Sequence, residues 1–484
     1  MTSYWHEFAP AALPPGQPAG LTDTPGRGPD AARPAGRHRA VVQRRRRADP
    51  FVIAIPALAE LVIGGYKLGA LALSRDEADA LTAARRPMTA IVSGLAHGGI
   101  GHGAYYLAMH VVIAGLGTSA LVLRLPSLLA AVATAALTAA LGRRLARQSG
   151  MPAPSAVGLL AGLSLAIVPL TTWCAQHAGP YTLAMLAAVG STYCLDRAAT
   201  GDSRGWWAGY SLCVLALGLA ELFAVLLVAG HGLSLLLGRA RSSRAARGVV
   251  ARGRIGGRVM PAELTALASD APTGLTASAL RGWLASVACA GLGLAPLAWA
   301  SSRQASALGL APRPLPTEVA GLATQFAGRA AALPIVAAVA AVAVAAEVRW
   351  AGPGRTLGYL AVPWLVVPPV MLIAVSFDEP VLAGNVAAFC LPALSLLIGA
   401  GLVWTAWQIG LMAARRNVRR AGMIGTAAGV LIAAAIAALL VSSQLSVRRS
   451  GRAADMVPAS AVTFARADTG DAHDCWTISI PFPS

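Results

Sequence analysis

Apolar residues form long, nearly unbroken runs along most of the chain, and polar residues gather between these runs. Runs of about 18 or more apolar residues recur between residues 51 and 442. As a helix, each would rise about 1.5 Å per residue and could cross ~30 Å of hydrocarbon. Lipid offers the backbone no hydrogen bonds, so segments that cross it must be helical. The pattern predicts an all-α polytopic membrane protein with eleven spans, at about 51–73, 118–141, 154–172, 180–195, 206–220, 222–237, 283–300, 330–346, 356–375, 386–404 and 421–442.

The polar segments between the runs divide the chain further. Residues 1–50 are rich in Pro, Gly, Ala and Arg and are predicted to form a disordered cytoplasmic tail, while 51–442 form the transmembrane domain. Residues 238–282 are predicted to be a cytoplasmic linker loop, and 443–484 a short extracytoplasmic tail. The separation of 206–220 from 222–237 depends on a tight turn at Glu221.

Composition and charge agree with a membrane protein. Of 484 residues, 56% are hydrophobic and only 12% are charged, whereas a soluble domain carries about 25% charged residues. The net charge of +18 comes from arginines in the loops, with 27 on the predicted cytoplasmic side against 10 on the other. This bias predicts a cytoplasmic N terminus and an extracytoplasmic C terminus, rather than a nucleic-acid binder. The expected location of the protein is the plasma membrane. The cysteines include no Cys-x-x-Cys pair, so neither a zinc ribbon nor a disulfide framework is indicated.

The segment between the first two spans carries the candidate chemistry. Residues 74–118 are too many for a plain turn and are rich in Ala, Leu and Tyr, which predicts helices lying on the membrane. Asp76 and Glu77 would emerge there on the outer face, where one carboxylate can act as a general base. The alternative interpretation is helix capping, because Ser74 and these acids precede a helix-forming stretch. Asp79 is assigned to the helix alone.

Several motifs resemble one enzyme family. They are Asp76-Glu77 after the first span, "HGAYY" from His102 with His110 after it, "RLPS" from Arg124, and "WCAQHAGPYTL" from Trp173. Together with "VPWLVVPPVMLIAVSFDEPVLAGNVAAFCLPAL" near the end, they cover most of residues 51–442. This set resembles the family 39 glycosyltransferases of the GT-C superfamily, membrane enzymes related to protein O-mannosyltransferases and to the aminoarabinose transferases of lipid A.

The resemblance implies a GT-C-type helical bundle that moves a sugar from a polyprenyl phosphate to an extracytoplasmic hydroxyl of a protein, lipid or glycan. The sugar would be mannose by analogy, the reaction would invert the anomeric carbon, and membrane lipids would be further partners. Asp76 would be the general base, and Glu77 would orient it or bind the acceptor. The residues that would bind donor or acceptor are His102, Tyr105, Tyr106, His110, Arg124, Gln176 and Tyr181.

Other roles are open for several of these residues. Tyr105 and Tyr106 could be interfacial anchors, and Arg124 could extend its charge to the lipid headgroups. Some relatives hold a divalent ion. The spacing of His97, His102 and His110 is not the i, i+4 pairing of a helical metal site, so no cofactor is assigned.

Two positions depart from the family pattern. Relatives carry Arg where this chain has Gly179, and Arg-Tyr where it has Asn385-Val386. Both arginines would clamp the donor phosphate, and Arg75, Arg124 or Arg303 could replace them. The rival hypotheses are therefore an inactive relative that binds lipid-linked sugar or glycan, and a carrier. A carrier predicts charged residues near the middle of its spans, or inverted repeats with broken helices, but the sequence pattern places the reactive residues at one surface.

Overall fold

A computed structural model describes residues 50–70, 72–97, 103–201, 203–238, 277–305, 326, 333–350, 357–376, 386–415 and 418–454. The regular structure within these ranges is helical throughout, which confirms the all-α prediction. The predicted N-terminal tail, most of the 238–282 linker and the last thirty residues lie outside the described residues, as does Asn385.

The helices follow the predicted segments closely. In chain order they are α1 (Pro50–Gly65), α2 (Arg75–Ala84), α3 (Met88–His97), α4 (Gly103–Leu116), α5 (Ala120–Gln148), α6 (Pro154–Ile167), α7 (Pro169–Ala175), α8 (Tyr181–Thr200), α9 (Arg204–Ala220), α10 (Leu222–Gly238), α11 (Ala277–Ala305), α12 (Leu333–Trp350), α13 (Leu357–Val375), α14 (Leu391–Ala414) and α15 (Val418–Ala454). A helix lies at each of the eleven predicted spans, with α6 and α7 sharing one. Helices α2, α3 and α4 occupy the long segment between the first two spans, as predicted.

Several helices are long and apolar enough to cross a membrane. Within the described ranges five pass this test, namely Ala120–Gln148, Ser278–Trp299, Leu357–Val375, Val386–Ala414 and Gly422–Ser442. The pair α6 and α7 makes a sixth if it counts as one bent span. The chain is therefore a multi-pass helical membrane protein by length and composition, and the remaining spans stay predictions.

Two helix ends bear on the predicted boundaries. The first span was predicted to reach residue 73, but α1 ends at Gly65, followed by a turn in which Lys67 has a left-handed φ of 58°. A residue in the left-handed conformation just beyond the last turn is a common way to end a helix. The predicted turn at Glu221 is confirmed, because Glu221 is extended between the end of α9 and the start of α10.

The predicted span 154–172 is not one straight helix. Helices α6 and α7 meet at Val168 and are bent by 67° relative to each other. Val168 is extended, with ψ at 126°, and it precedes Pro169. The proline ring disfavours helical geometry in the residue before it and removes a backbone donor, which explains the break. The predicted single span 154–172 is therefore a bent pair of helices.

The core of the bundle is built around α14. In its apolar window 94% of the residues are buried, so neighbouring helices surround it on all sides. It packs against α6, α12 and α15. The approach to α6 is close, since a Cβ atom at Gly399 would lie 2.7 Å from the carbonyl oxygen of Val157. Small residues allow helix backbones to pack this tightly in a membrane.

Polar groups are also buried within the helical bundle. His231 on α10 contacts the hydroxyls of Thr192 and Tyr210, at 3.0 and 3.1 Å, and the indole N–H of Trp283 donates to Tyr210 at 3.1 Å. This network joins α8, α9, α10 and α11. On α1, Glu60 is completely buried. The bundle therefore buries titratable side chains in addition to the candidate residues that the sequence places at its outer surface.

Candidate active site

The start of α2 is fixed by a capping box. The Ser74 hydroxyl accepts the backbone N–H of Glu77 at 3.4 Å, and the Glu77 carboxylate accepts the N–H of Ser74 at 2.9 Å. The helix-capping interpretation is thus confirmed for Glu77. Asp76 occupies the second position of the helix, where its side chain is exposed.

Glu77 forms a buried ion pair with Arg124 of α5. The Arg124 Nε and Nη2 groups donate to the two carboxylate oxygens, each at 2.7 Å. Arg124 also donates to the carbonyls of Leu68 and Ala72, at 2.8 and 2.9 Å. The backbone N–H of Ala178 donates to Glu77 at 2.9 Å. One carboxylate therefore connects α2, the segment after α1, α5 and the segment between α7 and α8.

This arrangement revises two predicted roles. Burial raises the pKa of Glu77, but the hydrogen bonds from Arg124, Ser74 and Ala178 outweigh it and lower the pKa below its usual value. Glu77 is therefore ionised, and its oxygens are bonded inside the protein rather than presented to an acceptor. Arg124 was predicted to bind phosphate or to reach the headgroups, but it is 3% exposed and all three of its guanidinium nitrogens bond within the protein. Both side chains therefore hold α2 against α5.

Helix α4 packs against α2, and two of its tyrosines are within electrostatic range of acids on α2. Tyr106 is half-buried, and burial together with the charges of Asp79 and Asp76 raises its pKa. Tyr105 is buried, which also raises its pKa, and its hydroxyl has no hydrogen-bond partner among the described residues. The two rings are 5.9 Å apart between centroids. Tyr106 is thus within electrostatic range of both Asp79 and Asp76.

A second aromatic group approaches from α7 and α8. The rings of Trp173 and His177 stack with centroids 3.9 Å apart, and the ring of Tyr181 is 6.0 Å from that of Trp173. The His177 Nδ1–H donates to the carbonyl of Trp173 at 2.8 Å, which holds the stack. Tyr181 lies within electrostatic range of both Glu221 and Asp76. The predicted residues Asp76 and Tyr181 are thus within electrostatic range of each other.

Two predicted binding residues connect elements instead. The Gln176 amide donates to the carbonyls of Gly64 and Tyr66, both at 3.0 Å, so it joins the end of α7 to the end of α1. The His110 Nδ1–H donates to the carbonyl of Ala84 at 2.8 Å and joins α4 to the end of α2. The predicted binding residue His102 lies outside the described residues.

The sequence interpretation missed part of this group. Glu221 was assigned to a turn, yet it is 6% exposed and within electrostatic range of Tyr181. Trp173, His177 and Tyr181 recur every four residues, but α7 ends at Ala175 and α8 begins at Tyr181, so the break between the helices and not one helix face brings them together. No three His, Cys, Asp or Glu side chains of the described part of the chain come together as a metal site.

Comparison with known proteins gives little beyond the fold. No protein-family model matches the chain, and no curated protein matches it. Among solved structures, the chain is similar to that of ArnT from Cupriavidus metallidurans bound to undecaprenyl phosphate. The TM-score is 0.46 and the identity 13%, with 84% of this chain and 79% of that chain covered. A likeness of this size does not carry a functional assignment.

Proposed function

We propose that this protein is a GT-C-type glycosyltransferase that moves a sugar, mannose by the sequence resemblance, from a polyprenyl phosphate to an extracytoplasmic hydroxyl. One observation carries the proposal. The carboxylate of Asp76 is exposed on a helix that the buried Glu77–Arg124 pair holds in place. A general base needs a free carboxylate in a fixed position, and Asp76 meets both conditions.

In the proposed reaction Asp76 accepts the proton of the acceptor hydroxyl. The acceptor oxygen forms a bond to the anomeric carbon from the face opposite the donor phosphate. The bond between that carbon and the phosphate oxygen breaks, and polyprenyl phosphate leaves with the electron pair. Glu77 does not exchange a proton, because its four hydrogen bonds stabilise the ionised form. Its role is to hold Asp76 on α2.

The surrounding side chains suit a sugar and a phosphate. The rings of Tyr106, Trp173 and Tyr181 offer apolar faces and, in the tyrosines, hydroxyl donors. Arg75 is exposed and adjoins Asp76 in the chain, so we assign it the donor phosphate in place of Arg124.

A second candidate function is binding of the lipid-linked sugar without transfer. The observation that favours it is the internal bonding of Arg124, which removes one of the cations that could replace the arginines of relatives. Binding would then depend on Arg75, and a protein of this kind would retain donor without turning it over.

The two candidates separate in one experiment. Purified protein in lipid vesicles is given radiolabelled polyprenyl-phosphate mannose and a mixture of extracytoplasmic proteins and glycans as acceptors. We expect transfer by the wild type, a loss of about 10²- to 10⁴-fold in Asp76→Asn, and normal transfer in the matched control Asp79→Asn. Wild-type turnover by Asp76→Asn would remove the assignment of the base. Retained donor with no transfer by the wild type would favour the binding function.

A further inference from the structure

Glu60 is an acidic residue inside a span. It is the one titratable side chain of α1 (Pro50–Gly65), and its exposed fraction is 0%. It takes no part in the candidate active site described above.

The Glu60 carboxyl group lies unpaired between α1 and α7. Among the described residues neither of its oxygens has a hydrogen-bond partner. A Cβ atom at Gly64 would lie 3.2 Å from the Glu60 Oε1 and 3.3 Å from the Cβ of Ala175. The missing side chain at Gly64 thus leaves the space that the carboxyl group enters.

The helices packed against α1 bring no cation to this carboxyl group. The helices that pack most extensively against α1 within the described ranges are α5, α6 and α7. No side chain of α6 is titratable, and on α7 only Cys174 is, within electrostatic range of Glu60. On α5, Leu128 reaches the position of Gly64. Arg124 is bonded to Glu77, and Arg143 lies about 22 Å of helix beyond Leu128.

A second unpaired polar atom lies on the same side of α7. The hydroxyl of Thr171 is fully buried and has no partner among the described residues. Thr171 precedes Cys174 by three residues, so both share one face of the helix. An unpaired carboxylate anion in such surroundings would cost many kcal/mol, whereas a neutral carboxylic acid loses far less on burial. The negative charge of the Glu60 carboxylate must therefore be neutralised by a bound cation, and the smallest such cation is a proton.

We propose that Glu60 is a proton-binding site inside the helical bundle, beside the break between α6 and α7. The bound proton exchanges with water through the C-terminal end of α1. Glu60 lies about 7.5 Å of helix from Gly65 but about 15 Å from Pro50. The Gly65 end is the end that Gln176 joins to α7. The site is independent of whether the chain transfers sugar.

Carbodiimide labelling tests the bound proton in the wild-type protein. Dicyclohexylcarbodiimide adds to a protonated carboxyl group in apolar surroundings, the carboxyl oxygen bonding to its carbon and the proton moving to its nitrogen. We expect an adduct at Glu60 near neutral pH, found by peptide mass spectrometry, and none at the ionised Glu77. Infrared spectroscopy gives a second measurement, because a protonated carboxyl group has its own carbonyl stretch. The band should be present in the wild type, shift in D2O and vanish in Glu60→Gln.

The outcomes of the two measurements are decisive together. The site is supported if the band vanishes in Glu60→Gln, even where the reagent leaves no adduct. It is also supported if an adduct forms at Glu60. No adduct and no change of the band in Glu60→Gln would overturn the proposal. A band that does not shift in D2O would overturn the exchange with water. Should Glu60→Gln fail to fold, the adduct and the D2O shift of the wild type decide alone.

Discussion

Loss of one charge from the Glu77–Arg124 pair should loosen α2 and leave the rest of the bundle intact. The variant Glu77→Gln is nearly isosteric, but it leaves the guanidinium of Arg124 charged and buried, with backbone carbonyl groups among its remaining partners. The capping bond from the Ser74 N–H and the bond from the Ala178 N–H also weaken, because a neutral amide accepts hydrogen bonds less strongly than a carboxylate.

The size of the effect follows from burial on both sides of the pair. The two side chains are 4% and 2% exposed, so solvent screens them little. Breaking a buried pair by removal of one partner costs about 3–5 kcal/mol. If this cost falls on the local opening of α2, its backbone amides should exchange with solvent about 10²- to 10⁴-fold faster.

Hydrogen–deuterium exchange of the purified protein in nanodiscs measures this opening peptide by peptide. Peptides that cover α2 should gain exchange in Glu77→Gln, while peptides from α14 should keep their protection. Asp79→Asn is the matched control, since Asp79 is exposed on the same helix and its loss should change stability by less than about 0.5 kcal/mol.

A double variant separates the ion pair from simple loss of packing. Glu77→Gln with Arg124→Gln removes both buried charges, so it should recover part of the protection that the single variant loses. Exchange of α2 that is unchanged in Glu77→Gln would refute the reasoning. The reasoning would also be contradicted if the increase in α2 exchange in the double variant exceeded the sum of the increases in the two single variants.

Three further predictions concern the same fold. Gly158→Ala places a methyl group against the α5 backbone and should lower the free energy of unfolding by about 1–3 kcal/mol. Gly291→Ala meets open space and should raise the free energy of unfolding by about 0.5–1 kcal/mol. The temperatures of thermal inactivation of the two variants measure this difference. Tyr210→Phe leaves His231 and an indole N–H without their hydroxyl partner and should lower the apparent melting temperature by an amount that reflects about 1–3 kcal/mol. Because the pKa of Glu77 is lowered, its stabilisation is complete above the unfolded value of about 4.3 and is lost as the pH falls through the folded pKa. The protection of α2, measured relative to the intrinsic amide exchange rate at each pH, should therefore fall in acid in the wild type and much less in Glu77→Gln.

Local signals in the sequence accounted for the helices and several of their ends. The hydropathy pattern located the apolar segments, and Glu221 marked a real break between two helices. Ser74 with Glu77 three residues later is a capping box that the sequence itself displays. The bend at Val168 had a local cause as well, in Pro169, but the continuous apolar run concealed it.

Partners distant in sequence could not be predicted in the same way. Glu77 and Arg124 are 47 residues apart, and Glu77 and Ala178 are 101 apart. Nothing in the local pattern of either residue indicates the other, so Arg124 was interpreted as a ligand of phosphate. Glu60 was visible as a single acid in an apolar run, but only the packing of α7 shows that it has no partner within the described residues.

The contacts of Glu77 also have a consequence for biogenesis. During synthesis α2 leaves the ribosome well before Arg124, and both precede Ala178, which supplies the remaining bond to the carboxylate. A nascent chain that stops short of Ala178 has an incomplete set of bonds at Glu77, however well its first helices have entered the membrane. The segment that carries Asp76 therefore reaches its final position only after several later helices have been made and inserted.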